Sequence, residues 1–438
     1  MKVLLINPEW NTSAGIWKGV HSVFPPVGLL SIASVLEKAG HKVRIWDLNV
    51  EFWKDDYEPD IVGITITTAT SNSGYTTSRR AKEQWPNCHI IFGGVHVSVC
   101  SEEALLHCHT AIVGEGEGVI VDVVEKGLRG IVKGVPVDVN ELPMPAYHLI
   151  DTKKYHPAVG GYRQLPAMLV VSSRGCPNFP PCNYCYQPFG GKIRQRNPEL
   201  LFEDIRYLIE QKGIREISFY DDNFTTIKPN LLKFCELLTN YQKENKIRIT
   251  WSCFARIDWL DEEKAIAMKK SGCHTILFGI ESGNEHIRED VVHKHLNLDK
   301  AFEVNKMLKK IGIETRASFI FGLPEDTKET MQETIDVALK LDPDMASFNI
   351  ICPNPGTEAY DWGVSNGYLE PNQWDNFDLA SVVLKIPTAT EQEIMDAYKT
   401  AHKRFYFRPK FIIKRFMKSF TIQGLKSNVL GLRAILKV

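Results

Sequence analysis

Two series of short β-branched runs alternating with amphipathic helical stretches fill most of the chain, and this alternation narrows the fold more than any other feature. In the first series, from Met1 to about Gly134, KVLLINP, HKVRIWD, DIVGITITT, CHIIFGGVH and TAIVGEGE give five strands. Helices such as GLLSIASVLEKAG, closed by Gly40, run between them. Strands rich in Val and Ile, joined by helices and buried on both faces, form a parallel, doubly wound α/β sheet. Such a sheet receives ligands at the carboxyl ends of its strands. The loops there are small and polar: Thr65, Thr67, Thr68, Ser71 and Ser73 after the third strand, Gly93, Gly94 and His96 after the fourth, and Gly114, Glu115 and Gly116 after the fifth. Glycine in these places lets a large flat ligand approach the backbone. No GxGxxG follows the first strand, which argues against NAD or FAD.

Residues 135–166, with five prolines and the Gly160-Gly161 pair, read as an irregular linker. The second series places strands at 168–173, 215–220, 247–253, 275–280, 314–321 and 346–351, with helices such as PELLFEDIRYLIEQKG between them. Six βα units make a partial (β/α)6 barrel, with its chemistry at the carboxyl ends of the strands. The expected division is a Rossmann-like domain at 1–134, the linker at 135–166, the barrel at 167–362 and a C-terminal region at 363–438.

Charged residues make up 24% of the chain and apolar residues 44%, values of an ordinary globular protein, and no run reaches the roughly 18 apolar residues of a membrane span. MKVLLINPEW is too short and too early broken for a secretion signal, so the expected location is the cytoplasm, where cysteines stay reduced. The net charge of −1 hides an asymmetry: from Ala397 onward there are 11 Lys or Arg and no Asp or Glu, leaving −12 on residues 1–396. The tail reads either as a basic amphipathic helix on anionic lipid or as a helix packed on the barrel. Nucleic acid is a poor partner for the remaining acidic chain.

Seven of the ten cysteines are scattered and read as small buried residues: Cys88, Cys100, Cys108, Cys235, Cys253, Cys273 and Cys352. The other three, Cys176, Cys182 and Cys185, stand in SSRGCPNFPPCNYCYQP with C-x5-C-x2-C spacing. Three thiolates on one loop suit a 4Fe-4S cluster with one iron left open to an outside ligand. A structural zinc would need a fourth protein ligand, and neither a second C-x-x-C nor a nearby histidine pair is present.

Around this loop the chain resembles the cobalamin-binding radical S-adenosylmethionine (SAM) enzymes. The similarity runs from about Met1 to Tyr360 and rests on FPPVGLLSIASVLEKAGHKVRIWD, FGGVHVS, VGEGEG, SSRGCP, FYDDNFTT, FARID, FGIESGNE, FIFGLPEDT and CPNPGTEAY in the family's order. Two departures stand out. The usual first gap of the cluster motif is shorter by two residues, and PEWNTSAG lacks the D-x-H-x-x-G that would give cobalt a histidine ligand. The second departure resembles the methylating members.

The resemblance implies three cofactors: a 4Fe-4S cluster on Cys176, Cys182 and Cys185, SAM, and cobalamin. For SAM it implies Asp221 and Asp222 at the amino group, Arg256 at the carboxylate, Glu281 at the ribose, and Tyr184, Phe319 and Gly322 along the adenine. For cobalamin it implies Thr65, Thr67, Ser71, Gly93, Gly94, His96, Gly114, Glu115 and Gly116. The implied activity is methylation of an unactivated carbon, or of phosphorus, in a small or lipid-like molecule, through a 5'-deoxyadenosyl radical and methylcobalamin. The implied electron donor is a one-electron reductant such as flavodoxin or ferredoxin. A radical cyclase or rearrangement enzyme, like the anaerobic porphyrin ring cyclases, is the alternative, and a non-catalytic cobalamin-binding regulator is a further one.

Overall fold

The computed structural model describes residues 1–10, 22–54, 56–157 and 161–417. Its first unit is a parallel sheet in the order β2-β1-β3-β4-β5-β6. Its elements in chain order are β1 (Lys2–Asn7), α1 (Val27–Lys38), β2 (Lys42–Asp47), β3 (Ile61–Thr65), α2 (Ser71–Gln84), β4 (His89–Gly93), α3 (Val95–Val99), α4 (Ser101–Leu105), β5 (Thr110–Val113), α5 (Ile120–Lys126) and β6 (Gly130–Lys133). The sixth strand is an addition to the five expected. It has four residues, GIVK, at the sheet edge, and alternates half-buried with exposed positions, so its apolar signal is weak. The central strands behave as fully buried parallel strands do: Leu4, Ile6, Val62, Ile64, Ile90 and Phe92 pack one face, while Val3, Leu5, Ile61 and Ile91 pack the other.

The second unit is an open barrel, with parallel order β14-β13-β12-β11-β10-β7. It starts with β7 (Ala167–Val170), then a two-residue antiparallel pair, β8 (Ser173–Arg174) with β9 (Arg194–Gln195), flanks the cysteine loop. There follow α6 (Pro198–Lys212), β10 (Glu216–Phe219), α7 (Lys228–Asn245), β11 (Thr250–Phe254), α8 (Glu262–Ser271), β12 (Cys273–Glu281), α9 (Leu298–Ile311), β13 (Glu314–Phe321), α10 (Lys328–Leu341) and β14 (Met345–Ile350). Helix boundaries follow local chemistry. Pro198 opens α6 and Gly213 closes it in the left-handed conformation, and Asp261, Asn297 and Thr327 each accept a backbone N–H as N-caps of α8, α9 and α10. Outward strand faces pack on the helices through an aromatic cluster of Phe219, Phe224, Phe234 and Trp251, with Phe219 stacked on Phe224 at 4.1 Å. Inward faces are half-buried, as the alternation along β13 and β14 shows, so the barrel interior is hollow rather than filled.

Beyond the barrel lie α11 (Glu358–Ser365), α12 (Glu391–Tyr406) and α13 (Pro409–Met417). Helix α12 buries Ile394, Tyr398, Ala401, His402 and Phe405, and the basic groups near it are tied to barrel carboxylates: Arg404 to Asp336 at 3.0 Å, Arg408 and Lys410 to Asp342 at 3.1 and 2.8 Å. Up to this point the tail takes the barrel-packed arrangement; residues 418–438 lie outside the described residues. No described helix is long and apolar enough to cross a membrane. Of the seven scattered cysteines, five are buried, with Cys100 and Cys352 half-buried.

Candidate functional site

The cysteine loop leaves the carboxyl end of β7 and is fixed at both ends by polar groups of neighbouring strands. Asp221, after β10, takes the Ser172 backbone N–H and hydroxyl, both at 2.9 Å, and the Ser173 hydroxyl at 2.5 Å, all on Oδ1, while its buried Oδ2 has no partner. Burial pushes its carboxyl up to about 6 against these donors. Gly175 adopts φ +96°, and a Cβ there would stand 2.5 Å from the Lys192 carbonyl, so the close crossing of the two loop arms demands glycine. In the middle of the loop, Asn178 donates to the His293 carbonyl at 2.7 Å and lies 3.5 Å from the Cys182 sulfur. The Cys185 N–H closes a turn onto the Cys182 carbonyl at 2.8 Å.

All three thiols are free. Among the described residues, the one trio of ligand-bearing side chains whose donor atoms all lie within 4.8 Å of each other is elsewhere, at His96, Cys100 and Glu103. Cys176, Cys182 and Cys185 do not form a close-set group of that kind with a further histidine or carboxylate among the described residues. They still sense one another: partial desolvation, reinforced by Cys182, Asp222 and Cys176, pushes the Cys185 thiol up to about 12. Burial also raises Cys182, against the pull of Lys294. The raised Cys182 and Cys185 thiols belong to a donor set suited to a multiply charged load that displaces thiol protons. The donor set fits an iron–sulfur cube better than one zinc.

Of the residues implied for SAM, the structure brings Asp222, Glu281 and Tyr184 to the cysteines. Asp222 is exposed beside the loop and takes the Gly175 N–H, and burial of its inner edge raises its carboxyl. Glu281, at φ +69°, folds back across Gly279, where a Cβ would collide with its carboxylate. It binds Lys294 Nζ at 2.8 Å and accepts from the Tyr184 phenol. Lys294 went unnoticed in the sequence. Burial disfavours its ammonium, but Glu281 and Cys182 outweigh burial and hold it charged beside the sulfurs. Its neighbours His293 and His295 take φ +59° and +49°, a kink that gave no glycine as a signal.

Three of the implied SAM contacts are corrected. Arg256 is buried, and its five N–H groups are consumed by Asp258 (3.2 and 3.1 Å), Asn178 (2.6 Å) and the carbonyls of Lys294 (2.9 Å) and His295 (2.6 Å). It braces the cysteine loop against the 293–295 segment and has no donor left for a carboxylate. Phe319 is fully buried on the helix side of β13, stacked on Phe348, and Gly322 packs on Ile394 of α12. Neither lines a slot.

On the first sheet, the strand ends present an open rim. Thr67 and Gly114 are exposed, Thr65, Gly93, Gly94 and Gly116 are half-buried, and nothing stands within 4 Å of a Cβ built on Gly93 or Gly114. Gly94, at φ +109°, sits so close to Ile66 that a Cβ would meet its carbonyl at 2.5 Å. This is a shallow cradle of the kind a corrin face needs. Ser71 and His96 are corrected. Ser71 is fully buried and donates to the Thr68 carbonyl at 3.0 Å. His96 is fully buried, with Nε2 3.2 Å from the Tyr75 hydroxyl and Nδ1 3.3 Å from Thr68, under the ring of Trp374 at 5.1 Å. Tyr75 and Trp374 in turn donate to Glu103 at 2.8 and 3.2 Å, so the trio at His96 is a satisfied polar knot tying the C-terminal region to the first sheet. Most of PEWNTSAG lies outside the described residues.

Glu115 is also corrected, and its position is informative. Its carboxylate and that of Glu117 leave the β5 loop and clasp Arg174, two residues before Cys176: Glu115 at 2.6 Å and Glu117 at 2.5 Å. Arg194 closes on Glu115 from the other arm of the cysteine loop and donates to the Val137 carbonyl at 2.7 Å. Forked guanidinium–carboxylate pairs of this kind are directional. They lock the rim of the first sheet to the cysteine loop of the barrel. Burial raises the Glu115 carboxyl, but Arg194 and Arg174 together outweigh it and hold it below the usual range. A group with a lowered value in the folded state contributes stability above its unfolded value, near 4.5, and loses it as the pH falls through the lowered one. The thermal midpoint of cofactor-free E115Q is therefore expected to lie below that of the parent at about pH 7 and to converge with it at an acid pH below the lowered value. An equal gap at both values contradicts the clamp.

Comparison with known proteins matches the radical SAM superfamily over residues 170–338 and the B12 binding domain over residues 17–124. An uncharacterized methyltransferase of Pyrococcus horikoshii is 34% identical over 446 residues, covering 94% of both chains. The anaerobic magnesium-protoporphyrin IX monomethyl ester cyclase of Cereibacter sphaeroides is 24% identical, covering 93% of this chain and 71% of its own. A radical SAM methyltransferase of Kitasatospora setae, TsrM, solved with cobalamin and a 4Fe-4S cluster, shares the fold with a TM-score of 0.67 at 16% identity, covering 91% of this chain and 81% of its own.

Proposed function

Because the chain belongs to the cobalamin-binding branch of the radical SAM superfamily, we propose that it is a methyltransferase acting on an unactivated carbon of a small-molecule substrate. The observation that carries this reading is the Arg174–Glu115–Glu117 clasp, which ties the three-thiol loop to the β5 end of the glycine-lined rim. The similarity to a methyltransferase-named relative at 34%, against 24% for the cyclase, favours methylation over ring closure.

We assign Cys176, Cys182 and Cys185 to three irons of the cluster, Asp222 to the SAM amino group, and Glu281 with Tyr184 to the ribose side. The rim of Thr65, Thr67, Gly93, Gly94, Gly114 and Gly116 is assigned to the corrin. When bound, the cluster and SAM supply hydrogen-atom abstraction and cobalamin supplies a transferable methyl group. The chain's own residues do the rest. Lys294 places a fixed positive charge beside the sulfurs and offsets the negative charge that iron-bound thiolates bring. Arg256 and Asn178 hold the loop rigid, and Lys294 fixes the Glu281 carboxylate in place next to the site. The parts divide into a corrin domain at 1–134, a linker at 135–166, a barrel at 167–362 and a C-terminal region from 363. A flavodoxin- or ferredoxin-type donor supplies the electron.

Anaerobic reconstitution with iron, sulfide, hydroxocobalamin and reductant, followed by product analysis with SAM, tests this reading. Both 5'-deoxyadenosine and S-adenosylhomocysteine are expected. Deoxyadenosine without S-adenosylhomocysteine contradicts methylation and supports the cyclase chemistry.

A further inference from the structure

The cysteine loop is held on three flanks by polar contacts. Arg174 and Arg194 tie it to the first sheet, and Asn178 ties it to Arg256 at 2.6 Å and to the His293 carbonyl at 2.7 Å. Asn183, 5% exposed, donates its N–H to the Val292 carbonyl at 3.0 Å and accepts the Ala359 N–H of α11 at 2.9 Å. Between these anchors the segment Phe179-Pro180-Pro181 stands exposed, with Phe179 at 83%. It lies in the lengthened first gap of the cysteine motif, three positions from Cys176 and three from Cys182, a reach of at most about 11 Å along the chain to either. The two prolines restrict the backbone, so little conformational freedom is left to lose when the ring is covered. Charge adds a direction. From Cys176 to Ile193 the loop holds no Asp or Glu, in an otherwise acidic chain. Its one cation, Lys192, is exposed and has no carboxylate at ion-pair distance among the described residues. Lys192 belongs to the Cys176 end of the loop, since a Cβ on Gly175 would meet its carbonyl at 2.5 Å and one on Gly191 would stand 3.9 Å from the Cys176 carbonyl.

We propose that the Phe179-Pro180-Pro181 knob is the docking point of an acidic one-electron carrier protein, which Lys192 attracts. The inference deepens the proposed function and rests on its assignment of a cluster to the three thiols. Electron transfer weakens steeply with distance, so a carrier has to touch the chain close to those thiols, and the knob is an apolar anchor on the same loop. One electron passes from the reduced carrier to the cluster, oxidising the first and reducing the second; no bond forms or breaks. Titration calorimetry of the reconstituted full chain without SAM, using an oxidised acidic flavodoxin and separately a plant-type ferredoxin, tests the docking apart from turnover and distinguishes the two kinds of carrier. At least one is expected to bind, weakly, as electron-transfer partners do. Phe179→Ser, which leaves the packed core untouched, is expected to raise that dissociation constant about tenfold, and Phe179→Trp to leave it near the parent value. Lys192→Glu is expected to raise it at low salt and to lose this effect at high salt. In stopped flow, bleaching of the cluster absorbance by subsaturating reduced carrier is expected to slow about tenfold in F179S, while bleaching by titanium(III) citrate keeps the parent rate. An unchanged dissociation constant in F179S, equal slowing with both reductants, absence of binding by both carriers, or an F179S effect confined to self-association of the chain overturns the docking point. With titanium(III) citrate as reductant, the deoxyadenosine and S-adenosylhomocysteine measurement depends on none of these results, so the two readings fail separately.

Discussion

Replacing Cys182 by Ala is expected to reduce reductive SAM cleavage to the level of cluster-free protein while leaving cobalamin uptake intact. Cys182 is one of three free thiols on a loop that offers no substitute: Cys253 and Cys273 are buried on the barrel strands, and Asp222 already serves the Gly175 N–H. With two thiolates a cube lacks a protein ligand for one more iron and is expected not to assemble. The corrin rim belongs to a different sheet, and its shape depends on Gly93, Gly94 and Gly114 rather than on the thiols. Iron and cobalt content, measured on the same anaerobic sample, separate the two sites. Cleavage at the parent rate would mean that another residue ligates the iron, and joint loss of cobalt and iron would mean that the two sites fold as one.

The second large effect is expected from Arg174→Met. Arg174 is 13% exposed and the two carboxylates it joins are 4% and 7% exposed, so their removal from water is offset chiefly by each other. Without the guanidinium, Glu117 keeps the Ser31 hydroxyl at 2.7 Å and Glu115 keeps Arg194. Breaking a buried pair in this way costs about 3 kcal/mol. The functional consequence is larger than the loss of stability, because methyl transfer needs both cofactor sites in register whereas SAM cleavage needs only one. A displacement near 1 Å lowers a positioned reaction by about 100-fold. The ratio of methylated product to 5'-deoxyadenosine is therefore expected to fall by roughly one to two orders of magnitude, with cleavage retained. Arg174→Lys keeps the charge but not the fork, and an intermediate ratio is expected from it. An unchanged ratio in the Met variant would show that the clasp does not govern alignment.

Much of this architecture is legible in the residues because its signals are local. Val- and Ile-rich runs separated by capped helices specify parallel strands one at a time, and the C-x5-C-x2-C spacing puts three thiols on one loop without any need for tertiary knowledge. The misreadings share a cause. A strand residue can face the helices or the lumen, and a motif does not say which: Phe319 faces the helices, and Gly322 makes room for α12. Arg256, Glu115 and His96 carry the right chemistry for a ligand, but partners brought in by the fold already use it: Asn178 and the Lys294 and His295 carbonyls for Arg256, Arg174 and Arg194 for Glu115, Tyr75 and Thr68 for His96. Lys294 escaped for the opposite reason. It reaches Glu281 and the sulfurs through a kinked segment with two histidines in the left-handed region, a conformation that sequence flags only when glycine supplies it. The short edge strand β6 escaped because four residues with alternating exposure carry too little apolar pattern.

The account stands on the three thiols holding a cluster with one iron open to SAM. Electron paramagnetic resonance of the reduced, oxygen-free protein, recorded before and after SAM is added, tests this most directly. A cubane signal whose g-values shift on addition is the predicted result. Zinc at the thiols, or a cubane signal that SAM leaves unchanged, would contradict it.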